Sequence, residues 1–365
     1  KSNYYTVSYY LGNGSTNAAY QKLIQTVEEG TVVTFAKVPA RTGYVNQGWS
    51  SKKNSEKATA KAKCTVNKNI TLYAVQKKAV QLTFHRCDGS TWQKTTLAKG
   101  SSYSLPGVRD AEGYTFMGWS TKPMQSVSPQ YEAEEKITVN GNVDLYAVVF
   151  NRTTETDLTE DQLPQVDIYK YKQVIFVGDS RTEFMENVLT GMGESATKNV
   201  KFVCSAGKGL DWFTTTGWAQ LYSIVQHDSN SILSKKTAVI FNFGVNDLSK
   251  SADYAEYYNW IAPQLKSKGC ELYFMSVNPV NRLMLPNAGR ADRSEAAVRS
   301  FNQYMKANLS SAYTYIDMYS YLKSTGYSFA SDHYGTGTVD DGLHYTTRTY
   351  KRIFAKCMDS LRVPA

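Results

Sequence analysis

The stretch VIFVGDSRT, residues 174–182, changes character in its middle. Val174 to Val177 are β-branched or aromatic, the composition of a buried strand. Gly178 then predicts a sharp turn, and Ser180 stands where a helix begins. A serine there is either an N-cap for the first helical turn or a hydroxyl presented at a strand end for chemistry. The stretch alone does not separate these readings; the rest of the chain does.

Runs of the same kind recur downstream at VKFVC (200–204), AVIFNFG (238–244), ELYFMSV (271–277) and TYIDM (314–318). Amphipathic stretches lie between them, notably ADYAEYYNWIAPQLKSKG (252–269) and RADRSEAAVRSFNQYMKANL (290–309). Pro263 inside the first predicts a kink or an early break. Alternation at this spacing predicts a parallel sheet with helices on both faces. In such sheets the site lies beyond the carboxyl ends of the strands. Gly178-Asp179-Ser180, Ser205-Ala206-Gly207 and Gly244-Val245-Asn246-Asp247 all follow strand ends and are expected to share one crevice.

A serine hydroxyl is a poor nucleophile until a base takes its proton, and imidazole is the usual base near neutrality. Of the four His, His85 belongs to the N-terminal region and His227 to a polar helix tail or loop. His333 and His344 remain, both in SDHYGTGTVDDGLHYT (331–346). Asp341 precedes His344 by one tight turn, which can aim its carboxylate at the ring. Asp332 is adjacent to His333, and neighbouring side chains diverge. Ser180, Asp341 and His344 are therefore the expected set. Asn246, on a Gly turn, can present a fixed donor to a developing oxyanion, while Asp247 reads as structural. Arg181 suits either an acidic substrate or a carboxylate partner.

Together these segments resemble the SGNH (GDSL) hydrolases over residues 174–362. The resemblance makes Ser180 the nucleophile in a Gly-Asp-Ser block. It puts the second block's glycine at Gly207, with Gly209 as the other register, and matches Gly-x-Asn-Asp at 244–247 and Asp-x-x-His at 341–344. It implies an oxyanion hole of the Ser180 and Gly207 backbone N–H groups and the Asn246 amide. It also implies a three-layer αβα, flavodoxin-like fold for residues 173–365.

Residues 1–150 contain a repeat. RTGYVNQGWSS (41–51) matches AEGYTFMGWST (111–121), and NITLYAVQ (69–76) matches NVDLYAVV (142–149). Two small β-rich modules follow, 1–78 and 79–150. Their pattern resembles the Listeria–Bacteroides repeat, a β-grasp-like module of bacterial surface and secreted proteins. Trp49 and Trp119 read as module cores, because so few residues must supply the burial. Residues 151–172, rich in Thr, Asp and Glu, read as a linker.

Net charge is +9, and residues 1–150 hold 18 Lys+Arg against 10 Asp+Glu. Without a nucleic-acid motif, that excess points to solvated lysines or to a cell-surface polymer. No stretch is apolar enough for a membrane span, and KSNYYTV carries no leader pattern. Five scattered Cys without CxxC argue against a disulfide framework or a zinc site. Cys204 and Cys270 read as small buried apolar residues, and whether Cys64 and Cys87 pair is not legible.

The combined expectation is a secreted or surface serine esterase of a Gram-positive-type bacterium. It would remove acetyl groups from a carbohydrate or cell-wall glycan without metal or organic cofactor, nucleic acid or membrane span. Alternatives are a lipase or lysophospholipase, and an adhesion protein with a vestigial hydrolase domain. Trp212 and Trp218 suit sugar stacking. The repeats supply no catalytic group, so residues 160–365 are expected to fold and hydrolyse a small ester alone.

Overall fold

The computed structural model describes residues 2–226, 236–332, 334–337 and 339–361. Five strands form an all-parallel sheet in the spatial order Val200–Cys204, Gln173–Gly178, Thr237–Asn242, Cys270–Met275, Tyr313–Ile316. In chain order this is 2-1-3-4-5, the doubly wound arrangement whose crevice opens where strands one and three part. Gln173–Gly178 and Thr237–Asn242 are buried at every position, which is why they read as unbroken apolar runs. Two apolar layers cover the faces. One packs Phe184, Val188, Tyr350 and Phe354 against Val174 and Phe176. The other packs Tyr254, Tyr258, Val298 and Phe301 against Val239 and Phe241.

The helix Ser251–Ser267 runs on through Pro263, so of the expected kink or early break the break does not occur. Proline removes one backbone donor, but Ile261, Ala262 and Leu265 around it are all buried and hold that turn to the core. Trp212 and Trp218 are half-buried and pack against the second apolar layer.

The chain divides into two compact units. The first comprises Lys1–Arg86, Ser90–Tyr103 and Lys136–Leu145. Here Tyr4–Tyr10 pairs with Gln25–Glu28 and with Ile70–His85, which also pairs with Tyr44–Ser50 and Thr91–Ala98. Trp49 is buried as expected, and its indole N–H donates to Ala36 O at 2.6 Å.

The second unit comprises Cys87–Gly89, Ser104–Glu135 and Tyr146–Ala365, so part of the second repeat belongs to the same compact body as the parallel sheet. Met117, Val148 and Phe150 lie in one apolar cluster with Val174 and Phe176. Thr115 Oγ1 donates to Tyr327 O at 2.7 Å, and Lys323 Nζ donates to Met117 O at 2.7 Å. Residues 151–172 are packed too. Buried Glu155 accepts hydrogen bonds from Ser328 and Arg352, and Leu163, Val166 and Tyr171 enter the same cluster. Residues 160–365 thus share one apolar core with part of the second repeat, packing that weighs against the expectation that they stand alone.

Candidate active site

Gly178 closes its strand, and Ser180 opens the helix Ser180–Met192. The N-cap is Asp179, whose carboxylate accepts the Arg181 N–H at 3.0 Å, so Ser180 is free of that duty. Gly178 serves by its size rather than by a special turn: a Cβ there would lie 2.0 Å from Thr182 Oγ1. Burial pushes the Asp179 carboxyl up to about 6, against the Arg181 N–H and guanidinium.

Ser180 Oγ lies 3.0 Å from His344 Nε2, and His344 Nδ1 lies 2.6 Å from Asp341 Oδ2. All three side chains are buried. Asp341 Oδ1 also accepts the backbone N–H groups of Leu343 and His344, at 2.9 and 2.8 Å. An ionised Asp341 accepts from Nδ1–H, which leaves the Nε2 lone pair facing the Ser180 hydroxyl. Burial pulls the His344 pKa below its ordinary value, although the Asp341 carboxylate opposes the shift. Burial raises the Asp341 carboxyl, but hydrogen bonding from His344 and the two backbone donors outweighs it and holds the group below its usual range. The imidazole is therefore neutral at pH 7, with Nε2 able to accept the Ser180 proton. Phe184 stacks on it, with ring centroids 4.3 Å apart.

A cavity of about 310 Å3 opens over these groups, and its lining includes Ser180, Phe184, Gly207, Asn246 and His344. Gly207 lies on this wall, whereas Gly209 sits where a Cβ would be 2.4 Å from Asp247 Oδ2. Asp247 accepts from the Leu210 N–H and the Tyr254 hydroxyl, the structural duty expected of it. Asn246 Oδ1 accepts from Arg293 at 2.8 Å, and its Nδ2 donates to Lys208 O at 2.8 Å. Arg293 thereby sets which way the amide faces. Nothing in the spacing of RADRSE marks it.

Arg181 is buried and does not line the cavity over Ser180. Its buried guanidinium donates to three carbonyls, Leu343 O, Asn278 O and Pro279 O, tying the nucleophile's helix to the His344 segment. Arg290 Nε reaches Asp341 Oδ2 at 3.3 Å. His227 and His333 lie outside the described residues. All five Cys are free, with Cys270 and Cys357 buried and Cys204 half-buried.

A larger groove of about 680 Å3 lies in the first unit, lined by Arg41, Lys77, Lys78, Lys99 and Glu56 among others. It presents cations and amides but no nucleophile–base pair. That unit holds 16 Lys+Arg against 4 Asp+Glu, and the second holds 25 against 28. No helix among the described residues is long and apolar enough to cross a membrane.

Residues 174–357 match the family model described as GDSL-like Lipase/Acylhydrolase. Residues 5–75 and 81–148 each match the Listeria-Bacteroides repeat domain. A curated Gly-rich protein of Evansella cellulosilytica is 26% identical over 146 residues, 40% of this chain. The chain spans only 16% of that protein's length. Among solved structures, the acetyl xylan esterase AlAXEase is 11% identical with a TM-score of 0.36, over 52% of this chain and 99% of that one. The C-terminal catalytic domain of Streptococcus pneumoniae peptidoglycan O-acetyltransferase A is 16% identical with a TM-score of 0.30, over 53% and 92%. Protein YxiM of Bacillus subtilis is 13% identical with a TM-score of 0.34, over 99% and 98%.

Proposed function

The chain belongs to the GDSL-like lipase/acylhydrolase family, and on that premise we propose that Ser180, His344 and Asp341 deacetylate a carbohydrate or cell-wall glycan at the bacterial surface or outside the cell. The observation that carries the assignment is the unbroken relay from Asp341 through His344 to Ser180, at 2.6 and 3.0 Å. His344 Nε2 takes the hydroxyl proton as Oγ bonds to the ester carbon. The oxyanion meets the Ser180 and Gly207 backbone N–H groups and the Asn246 amide, each donor worth roughly 3–4 kcal/mol in such sites. Collapse breaks the carbon–oxygen bond to the sugar, and His344 returns the proton to the leaving alcohol. Water then repeats the cycle on the acyl-enzyme and releases the free acid and Ser180. Asp341 keeps the ring in its tautomer and offsets the charge of the imidazolium.

The cavity over Ser180 is lined by Asn246, Arg290, Arg293 and Ser331 as well as Ala206, Gly207 and Phe184, a polar lining that suits a short acyl group on a hydrophilic alcohol better than a long apolar chain. The repeat family and the cationic groove support a surface location, with the first unit holding an anionic cell-surface polymer that bears the ester. Ser180→Ala or His344→Ala should cut hydrolysis of para-nitrophenyl acetate by about 10^4-fold or more, and the double variant little further, since the two act in one step. Circular dichroism should be unchanged. Losses that add in the double variant would refute the shared step. Across esters of two to twelve carbons kcat/KM should fall with length, and a rise toward eight or more would replace the deacetylase reading with a lipase.

A further inference from the structure

Gly342 sits between Asp341 and His344 in the left-handed region, with φ of 65°, and a Cβ there would lie 2.3 Å from Asn281 O. Both of its backbone groups are held. Its N–H donates to Asp340 Oδ1 at 2.8 Å, and its C=O accepts from the Asn281 N–H at 2.8 Å. Each hold leads to the same buried carboxyl on the second repeat. Asp340 is paired with Arg152, and Arg152 with Asp110 at 2.7 Å. Asn281 Nδ2 donates to Asp110 Oδ1 at 2.8 Å and to Val108 O at 3.0 Å. Asp110 Oδ1 accepts the Phe116 N–H as well, and Arg152 Nε donates to Thr115 Oγ1.

We propose that the second repeat and the segment that follows it are working parts of the hydrolase: Asp110 in the repeat and Arg152 just after it are positioning residues that, through Asp340 and Asn281, clamp the Asp341–His344 turn at Gly342. This rests on the reading of Asp341 and His344 as catalytic. The clamp touches neither substrate nor reacting atoms. It sets the distance between the Asp341 carboxylate and the imidazole, where misplacement by an ångström costs about 10^2-fold in rate. Other contacts of the repeat join Lys323 to Glu132 and Arg282, the residue after Asn281, to Glu134.

The test uses the full chain with Asp110→Ala, Arg152→Met, Arg152→Lys and Asp340→Ala, each assayed on para-nitrophenyl acetate across pH with melting followed in parallel, and Asp110→Ala is expected to behave as Arg152→Met does. Arg152→Met should lower kcat about 10- to 100-fold and leave KM near that of the parent, with Arg152→Lys recovering part of the loss. The acid limb of kcat/KM should also move to lower pH. His344 faces Asp341, Arg181 and Arg290, and of these only the Asp341 contact raises its pKa. Loosening that contact makes the ring lose its proton sooner. A merely structural role lowers the active fraction and leaves the limb in place. An unmoved limb, with kcat falling only as the folded fraction falls, would overturn the proposal. Should Arg152→Met not fold, Asp340→Ala, which removes the acceptor of the Gly342 N–H, carries the same expectations. Full activity in Ser180→Ala and Asp341→Asn would instead refute the assigned catalytic set, so the two failures are distinguishable.

Discussion

The two repeats share a frame and differ on one face. Trp49 and Trp119 stand 70 residues apart and donate their indole N–H to Ala36 O and Pro106 O, also 70 apart. Around that anchor the copies diverge. The first reads YVNQGWS with Asn46 and Gln47 exposed, and the second reads YTFMGWS with Phe116 and Met117 buried. At the spacing of the anchor, Ala40 corresponds to Asp110. Shared residues therefore define the module, and divergent ones record what it is packed against.

Truncation should break this comparison most strongly. A chain of residues 160–365 exposes the apolar surface that covers Met117, Val148 and Phe150. Loss of each such side chain costs about 2–5 kcal/mol against a typical net stability of roughly 5–15 kcal/mol. That chain should fail to give a cooperative melt. A chain of residues 79–365 keeps the second repeat and should hydrolyse para-nitrophenyl acetate within about twofold of the full-length rate, near 0.4 kcal/mol. Equal loss from both cuts would mean the copies are equivalent after all.

Exchange of the divergent pair sharpens the point. Phe116→Asn with Met117→Gln puts amides into a buried face and should destabilise by about 3 kcal/mol or more, read from urea midpoints. Asn46→Phe with Gln47→Met changes an exposed face and should stay within about 0.5 kcal/mol. The smallest expected effect on catalysis comes from the groove of the first unit. Lys77→Glu with Lys78→Glu should weaken retention on an acidic polysaccharide at low salt and leave the small-ester rate unchanged. At 0.15 M salt, where screening acts over about 8 Å, the difference should shrink. A salt-independent difference would mean the lysines hold the fold rather than a polymer.

Much of this was legible in the sequence, for identifiable reasons. Strand ends carry motifs because the parallel sheet puts them on one edge, so Ser180, Gly207, Asn246 and the Asp341–His344 turn are legible as candidates from the sequence, and one cavity is lined by Ser180, Gly207, Asn246 and His344. Arg293 and the Arg152 clamp are not, because Arg293 meets Val245 O and the Asn246 amide oxygen and Arg152 meets Asp110 and Asp340, all far along the chain with no local spacing to reveal them. The role of Arg181 stays open in the sequence, since its backbone-carbonyl partners leave no trace in composition. The docking of the second repeat did leave a signal, Phe-Met where the first copy has Asn-Gln. It is interpretable only once the copies are aligned face by face.

The strand Ile70–His85 runs for 16 residues without interruption, the end of one copy and the start of the next. It pairs with Tyr4–Tyr10 and Tyr44–Ser50 along its first part and with Thr91–Ala98 along its second. At about 3.3 Å per residue it is a stay roughly 50 Å long. Pulled along its axis, such a stay yields by shearing many hydrogen bonds at once rather than by unzipping them singly. Tension along this strand would be shared by hydrogen bonds to strands of both copies.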